Sequence, residues 1–224
     1  MKQSKKYAAS LALIEKGKAY SLTEAVALVK KTATTKFDGT IDISFNLNID
    51  TKQADQQLRG TIVLPHSNGK TKKILAITNK TEEATAAGAD YVGGKEMLQK
   101  IQSENWFDFD VIVATPDMMG ELGRMGRILG PKGLMPNPKA GTVSPDIASA
   151  IKEIKAGKIE YRADKEGNMH FSVAKASFAD DVIVDNLKAV IDTVLRIRPA
   201  SVKGVYIKNA VIHSVMGPSV KIAL

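Results

Sequence analysis

The chain contains no cysteine, which excludes disulfide bonds and metal sites built on thiolates. Aromatic residues make up only 5% of its 224 residues, so base stacking on several aromatic rings is not expected to be its main binding mode. No apolar run approaches the roughly 20 residues of a membrane span, and no signal-peptide core follows the basic N-terminus. We therefore expect a cytoplasmic protein with no membrane partner.

Positive charge is in excess over the chain as a whole. Lysine and arginine number 32 against 24 aspartate and glutamate, for a net charge of +8. This composition favours a nucleic-acid partner, although a basic enzyme without such a partner has a similar charge. Because charges of both signs are mixed along the whole sequence, a disordered basic tail is excluded.

Residues 124–142 form the most distinctive segment, dense in glycine, proline, arginine and lysine. Proline fixes φ and removes a donor, and glycine permits conformations that other residues avoid. The segment is therefore predicted to be an ordered basic loop without regular helix or strand. It contains neither a carboxylate nor a histidine, so it suits binding a polyanion better than proton transfer.

The sequence pattern of the N-terminal third predicts a helix followed by a long strand. Ser21 and Glu24 have the spacing of a capping box that starts a helix. From residue 40 to residue 49, apolar and polar side chains alternate without a break; the apolar members are Ile41, Ile43, Phe45, Leu47 and Ile49. This period of two predicts an antiparallel sheet with one buried face and one open, polar face.

The pattern changes in the middle of the chain and then changes back. Short apolar strands alternate with helical patterns from residue 74 to residue 155, which is typical of a small parallel α/β unit. Beyond residue 157, strands are predicted at 159–162, 169–173 and 204–214, with a hairpin turn at 164–168. An amphipathic helix is predicted between them at 180–197, with these residues facing inward: Leu187, Val190, Ile191, Val194 and Leu195.

These patterns predict an α+β protein of two domains. An antiparallel, open-faced α+β domain is built from both termini, 1–66 and 159–224, and a Rossmann-like α/β domain, 67–158, is inserted into it. The insertion holds 13 lysines and arginines against 11 acids, which leaves 19 against 13 for the outer segments. The positive excess therefore lies mainly in the domain with the open sheet face.

Catalytic motifs are missing from the sequence. The glycines at 120, 123 and 126 lack the spacing of a dinucleotide-binding loop, and no phosphate-binding loop motif occurs. His66, His170 and His213 are too far apart for a metal motif, although His170 and His213 can donate to phosphate. We expect no cofactor and no bound metal. A nucleotide-binding α/β enzyme with a basic lid loop remains the alternative to an RNA-binding protein.

Two short segments combine features that suit RNA. Lys36, Phe37 and Thr40 place a cation, an aromatic ring and a hydroxyl at the entrance to the open-faced strand. Phe37 either stacks on a base or ribose, or caps the core. Met216 and Gly217 either let an RNA backbone approach and pack on a sugar, or form a plain turn between two strands.

Several of these motifs, taken together and in order, resemble the large-subunit ribosomal protein L1 family. They are Phe37 with its lysine, AGADYVGG at 87–94, ATPD at 114–117, GRILGPKGLMPNPK at 126–139 and MGPS at 216–219. The resemblance covers nearly the whole chain, and the glycine–proline segment is highly specific to that family. The chain length is similar to that of the bacterial form.

The resemblance implies a non-enzymatic constituent of the large ribosomal subunit that is monomeric when free. It implies binding to 23S rRNA at the mobile L1 stalk, assistance in releasing E-site tRNA, and translational repression through the protein's own operon mRNA. The inserted domain is associated with the far side of the stalk and with transfer RNA. The family's RNA contacts map to Lys36, Phe37, Thr40, Asp164, Lys165, Met216 and Gly217. The predicted RNA-binding residues also include His170, which can donate to phosphate, and Ser214 and Val215, which precede the Met-Gly pair.

Val215 departs from the family pattern, in which threonine commonly precedes the Met-Gly pair. Valine has a similar shape but no hydroxyl. If that hydroxyl bonds RNA in the family, its loss costs about 1 kcal/mol here. His213 and Ser214 are the nearby groups that can compensate.

Overall fold

The computed structural model describes residues 4–223 and has an α+β architecture. The described residues form two compact units: one comprises the chain up to Gly69 and again from Ile159, and the other is Lys70–Lys158. We call them the terminal unit and the middle unit. The predicted assignment of an RNA-binding domain and a Rossmann-like insertion, with boundaries at 66/67 and 158/159, stays a prediction.

The nine strands of the described chain are β1 (Thr40–Leu47), β2 (Arg59–Val63), β3 (Ile74–Ile77), β4 (Tyr91–Gly93), β5 (Val111–Ala114), β6 (Lys158–Arg162), β7 (Asn168–Lys175), β8 (Ile207–Ser214) and β9 (Val220–Lys221). Its eight helices are α1 (Lys5–Leu11), α2 (Leu22–Thr32), α3 (Thr81–Ala86), α4 (Lys95–Glu104), α5 (Met119–Arg124), α6 (Gly126–Leu129), α7 (Ile147–Lys155) and α8 (Asp180–Arg196). Among the helices of residues 4–223, none combines the length and the apolar character needed to cross a membrane.

The terminal unit is built on a four-stranded sheet with the order β7–β1–β8–β9. Each neighbouring pair is antiparallel, as the alternating pattern predicts. The apolar residues of β1 are all at most 1% exposed, and Phe45 packs edge-on against Phe171 of β7 with ring centroids 5.9 Å apart. Apolar residues of α2 and α8 belong to the same buried cluster, so both helices pack on this inner face.

The polar residues of β1 lie on the opposite face of the sheet. Asp42, Ser44 and Asn46 are only partly buried, in contrast to their apolar neighbours along the strand. We call this surface the open face. It includes the residues that the strand register sets beside these three on β7 and β8. The prediction of one buried and one polar face is therefore confirmed.

The two long helices of the terminal unit begin and pack largely as the sequence predicts. Helix α2 starts with the capping box, in which the Ser21 hydroxyl accepts from the Glu24 N–H and the Glu24 carboxylate accepts from the Ser21 N–H. Lys30 of α2 donates to Asp180 at the start of α8 and so ties the helices together. The prediction that Leu195 faces inward is wrong, because its side chain is 52% exposed. Ile183 and Val184, one turn or more before Leu187, complete the buried stripe instead.

The middle unit contains a three-stranded parallel sheet with the order β4–β3–β5. Residues of α4 and α5 share one buried cluster with alternate residues of β3 and β5. Residues of α3 and α7 share a second cluster with the intervening strand residues. Helices therefore cover both faces of the sheet, and the predicted parallel α/β pattern is confirmed.

The prediction that 124–142 contains no regular structure is wrong in two places. Gly126–Leu129 forms one helical turn, α6, and Pro138–Ala140 forms a 3₁₀ turn. Leu129 is fully buried in the cluster beneath α4 and α5, so burial of one apolar side chain holds the turn despite its glycines.

Helix α1 and strand β9 were also missed. Strand β9 is two residues long and α1 buries only Ser10, so neither has a clear sequence pattern.

Leu187 and Leu195 provide a matched test of how α8 packs. We expect Leu187→Ala to lower the free energy of unfolding by about 2–5 kcal/mol, because Leu187 is fully buried. The same substitution at exposed Leu195 is expected to change it by about 0.5 kcal/mol or less. Urea denaturation of both variants measures the difference, and equal losses would contradict the packing described for α8.

Candidate nucleic-acid interface

The segments around Phe37 and Met216 meet at one end of the terminal unit's sheet. Thr40 begins β1 and is paired with Lys175 at the end of β7. On the other side of Thr40, its carbonyl accepts a hydrogen bond from the Val215 N–H at 3.0 Å, just after the end of β8. The strand register therefore brings together residues that are about 175 positions apart in sequence. We call this place the Phe37 end.

Phe37 projects from a loop that is held in place by hydrogen bonds. Its side chain is 56% exposed and takes no part in the buried clusters of the described chain, so the alternative in which it caps the core is wrong. The Asp38 carboxylate accepts from the Ser177 N–H at 3.1 Å and from its hydroxyl at 2.8 Å. Lys36 beside it is exposed. A fixed loop thus presents an aromatic ring and a cation to solvent.

Thr40 has a supporting position in the loop, because its side chain is only 8% exposed. The Lys175 ammonium lies 3.4 Å from the Thr40 hydroxyl and 3.3 Å from the Asp38 carbonyl. Lys175 was missed by sequence reasoning. It lies two residues beyond the predicted strand 169–173, and the sequence did not show which strand would pair with that one.

Met216 lies in the turn that connects β8 to β9, and its backbone is strained. Its φ is +61°, in the left-handed region that residues other than glycine seldom occupy. Its side chain is 77% exposed, although methionine is usually buried. The turn predicted as one alternative is therefore present, but an exposed apolar side chain in a strained turn is also a feature of binding sites.

Gly217 and Ser214 explain how this turn closes. The Gly217 N–H donates to the Ser214 carbonyl at 2.9 Å, and a Cβ at position 217 would overlap the Ser214 hydroxyl. Ser214 is 1% exposed, and its hydroxyl has no hydrogen-bond partner within the described residues. Its register partner is Ile41, so it lies on the core side of the sheet. In this conformation Ser214 supports the turn and does not reach the surface. Of the two residues predicted to compensate for the hydroxyl that Val215 lacks, only His213 therefore remains a candidate.

Asp164 and Lys165 lie at the opposite end of the sheet, in the turn between β6 and β7. The Asp164 carboxylate accepts from the Glu166 N–H at 2.9 Å, from the Asn168 N–H at 2.7 Å and from the Asn168 side chain at 3.1 Å. Partial burial by itself raises the pKa of Asp164, but the hydrogen bonds from Asn168 and Glu166 outweigh it and lower the pKa below its usual value. Asp164 therefore shapes the turn that exposes Lys165.

The open face connects the two ends over the eight residues of β1, a distance of about 25 Å. His170 lies at its centre, where its Nδ1 is 2.9 Å from the Ser44 hydroxyl. One row further along, the Asn46 amide donates to the Asn168 side chain at 2.7 Å, and Asn209 is the register partner of Asn46 on β8. His213 is paired with Asp42 near the Phe37 end. The predicted site residues apart from Ser214 are thus distributed along one continuous surface.

Positive charge lies along the border of this surface. The central rows carry hydroxyls, amides and imidazoles, together with the apolar Val211 beside Ser44 and one carboxylate, Asp42. The lysines lie around them: Lys36 and Lys175 at the Phe37 end, Lys165 at the other, and Lys221 on the edge strand β9. Sequence analysis missed Asp42, Ser44, Asn46 and Asn209 as surface candidates, although the alternation of β1 had already put the first three on the polar face. Residues 4–223 contain no cluster of three or more histidine or acidic side chains that could hold a metal ion.

The hydrogen bonds at Asp164 predict a pH-dependent contribution to stability. Because the folded-state pKa is lowered, the stabilisation is present above the unfolded pKa of about 4 and is lost as the pH falls through the folded value. We expect Asp164→Asn to lower the melting temperature at pH 7 by roughly 2–4 °C, the effect of one net hydrogen bond in a chain of this size.

The difference between wild type and Asp164→Asn should shrink below about pH 4. Glu166→Gln is the matched control, since it removes a negative charge from the same turn without removing one of these acceptors. A control variant that lost as much stability, or a difference that stayed constant with pH, would contradict this role of Asp164.

Comparison with known proteins places the chain in a family. The family model described as "Ribosomal protein L1p/L10e family" matches residues 29–218. A protein of Mycoplasma capricolum subsp. capricolum, named "Large ribosomal subunit protein uL1", is 56% identical over 99% of this chain and 98% of its own length. Proteins of the same name from Mycoplasma mycoides subsp. mycoides SC and Mesoplasma florum are each 55% identical, over 99% and 100% of this chain and over 98% and 99% of their own lengths. The chain therefore belongs to the ribosomal protein L1p/L10e family.

Proposed function

We propose that this chain is a non-enzymatic constituent of the large ribosomal subunit in the cytoplasm and that it binds ribosomal RNA through the open face and the Phe37 end. The name shared by its close relatives supports the ribosomal role. One structural observation carries the choice of surface: Phe37 and Met216 are both exposed apolar side chains, and they project from two loops joined through Thr40 and Val215.

The chemistry of the surface suits folded RNA better than a regular duplex. Ribose hydroxyls and splayed bases offer both donors and acceptors, which match the amides, hydroxyls and imidazoles of the open face. Phe37 can stack on a base, and Met216 can pack on a sugar. Lysines at the two ends can contact phosphates about 25 Å apart, so affinity comes from phosphates and specificity from the shape between them.

The proposal includes finer assignments that rest on the family resemblance. They are binding to the mobile L1 stalk of 23S rRNA, assistance in releasing E-site tRNA and repression through the operon mRNA. They also include a Rossmann-like character for the inserted middle unit and a monomeric free state.

The proposed RNA contacts are Phe37, Lys36, Lys165, His170, Met216 and Gly217. Thr40, Asp164 and Ser214 hold these residues in place. The alternative of a nucleotide-binding enzyme has no observation in its favour, and the family is one of structural ribosomal proteins.

Lys36 tests the phosphate contacts at the Phe37 end. We expect Lys36→Ala to weaken binding to a 23S stalk transcript and to reduce the slope of log affinity against log salt by about 1, because one counterion fewer is released. Filter binding between 50 and 300 mM KCl measures both quantities, with an unrelated RNA duplex of equal length as the competitor.

Lys188→Ala is the matched control for Lys36→Ala. Lys188 is an exposed lysine of α8, which packs on the inner face of the sheet, away from the proposed interface. An unchanged affinity and salt slope for Lys36→Ala would remove this lysine from the interface. Equal binding of wild-type protein to the stalk transcript and to the duplex would reject the proposed function.

Met216 tests the apolar contact at the same end. We expect Met216→Asp to weaken binding to the stalk transcript by at least tenfold, because a carboxylate would face phosphates, and to leave the melting temperature nearly unchanged, because the side chain is 77% exposed. Leu195→Asp, at an exposed position on α8, is the control and should bind like wild type. Full affinity for Met216→Asp in the folded state would contradict the proposed role of this turn.

A further inference from the structure

Aromatic rings are concentrated at one edge of the middle unit. The chain has one tryptophan, five tyrosines and six phenylalanines, and four of these rings are in contact between residues 91 and 109. Ring centroids are 4.8 Å apart for Tyr91 and Trp106, 5.3 Å for Trp106 and Phe109, and 6.3 Å for Phe107 and Phe109. We call this cluster the aromatic edge.

Two lysines lie directly over the outer rings of the aromatic edge. The Lys100 ammonium is 4.9 Å from the centre of the Trp106 ring, and the Lys132 ammonium is 4.0 Å from the centre of the Phe107 ring. Lys132 comes from the basic segment, where residues 130–133 are all exposed. The middle of the most distinctive segment of the sequence, 124–142, thus lies beside the aromatic edge.

One acid of the aromatic edge, Asp108, is already paired. The Asp108 carboxylate accepts from Lys73 at 2.5 Å and from the Tyr91 hydroxyl at 3.0 Å. The hydrogen bond from Lys73, and then that from Tyr91, lower the pKa of Asp108. Because these hydrogen bonds go to Lys73 and Tyr91, the Asp108 carboxylate does not neutralise Lys100 or Lys132.

Packing of the unit explains only part of this arrangement. Phe109 is 5% exposed and belongs to the buried cluster under α4 and α5. Trp106 and Phe107 contact that cluster from outside and stay partly exposed. A lysine over a partly exposed ring is held weakly, because its ammonium keeps most of its hydration, so a flat ligand can displace it.

We propose that the aromatic edge is a second RNA-contact surface, on which an unstacked base stacks on Trp106 or Phe107 while Lys100 and Lys132 move to the flanking phosphates. Single-stranded segments and loops of RNA are recognised by this combination of flat rings and cations. The inference rests on the proposed function, since it assumes a protein that works among RNA. The family resemblance associates the middle unit with transfer RNA in general terms, and the proposal assigns to this unit a definite contact surface, separate from the open face.

The single tryptophan makes the proposal directly measurable in the full-length protein. The protein is first saturated with the stalk transcript. A single-stranded oligoribonucleotide and, separately, deacylated tRNA are then titrated in while the fluorescence is recorded. Stacking on Trp106 should quench the emission. An RNA duplex with blunt, closed ends should quench it much less, because its bases are already stacked.

Variants distinguish the proposed contact from general electrostatic attraction. We expect Lys100→Ala combined with Lys132→Ala to weaken binding of the titrated RNA roughly tenfold and to reduce its salt dependence. Lys152→Ala is the matched control, an exposed lysine of α7 on the opposite face of the parallel sheet. Trp106→Phe should retain binding because it keeps a flat ring, whereas Trp106→Ala should lose it. If Trp106→Ala lowers the melting temperature, Phe107→Ala provides a second variant that removes a ring of the same surface.

No quenching by either unstacked RNA, or equal affinity for the double lysine variant and the Lys152 control, would overturn the proposal and leave the aromatic edge as packing of the middle unit. Failure here is distinguishable from failure of the proposed function. In the first case the wild-type protein still binds the stalk transcript in preference to a duplex. In the second it loses that preference, whatever happens to the tryptophan emission.

Discussion

The pairing of β1 with two strands from the other half of the chain is the interaction on which the terminal unit depends. Ser44 of β1 lies beside His170 of β7, 126 positions later, and Ile43 lies beside Ile212 of β8. Loop closure over this distance costs entropy before the contacts form. The buried apolar face of β1, with α2 and α8 packed upon it, provides the compensating stabilisation. The same hydrogen-bonded ladder fixes which polar side chains appear together on the open face.

The candidate site follows from that ladder. Thr40 is bonded on both sides, through Lys175 and Val215, and this brings the Phe37 loop and the Met216 turn to one end of the sheet. Each loop is held by bonds of its own: Asp38 to Ser177, and Gly217 to Ser214. The candidate site is therefore already arranged in the free protein, so binding of the proposed RNA would lose less conformational entropy. The positive φ of Met216 costs backbone strain, and such strain is typical of residues whose side-chain position is important for function.

Sequence periodicity correctly predicted the strand faces and helix starts that depend on local pattern. It was wrong where tertiary contacts determine whether a side chain is buried or a turn is helical. The alternation from Ile41 to Leu47 identified both faces of β1, and the capping box identified the start of α2. The 3.6-residue period of α8 left Leu195 at the margin of the apolar stripe, where packing and not pattern determines exposure. Glycine and proline argued against helix at Gly126–Leu129, but burial of Leu129 prevailed. Ser214 was expected at the RNA surface, and only its register with Ile41 shows that it points to the core.

Composition is a poor guide to surface chemistry when residues cluster. A chain with 5% aromatic residues argues against stacking as a general binding mode, yet four rings and three lysines are gathered within one edge of the middle unit. The terminal unit shows the same clustering, because four of its lysines border the open face and its central rows carry mostly neutral groups and one carboxylate, Asp42. A uniformly cationic surface would attract any RNA with similar strength. If the open face binds RNA as proposed, a surface with cations only at its border rewards an RNA whose phosphates match that spacing, which favours recognition of one folded shape over binding to RNA in general.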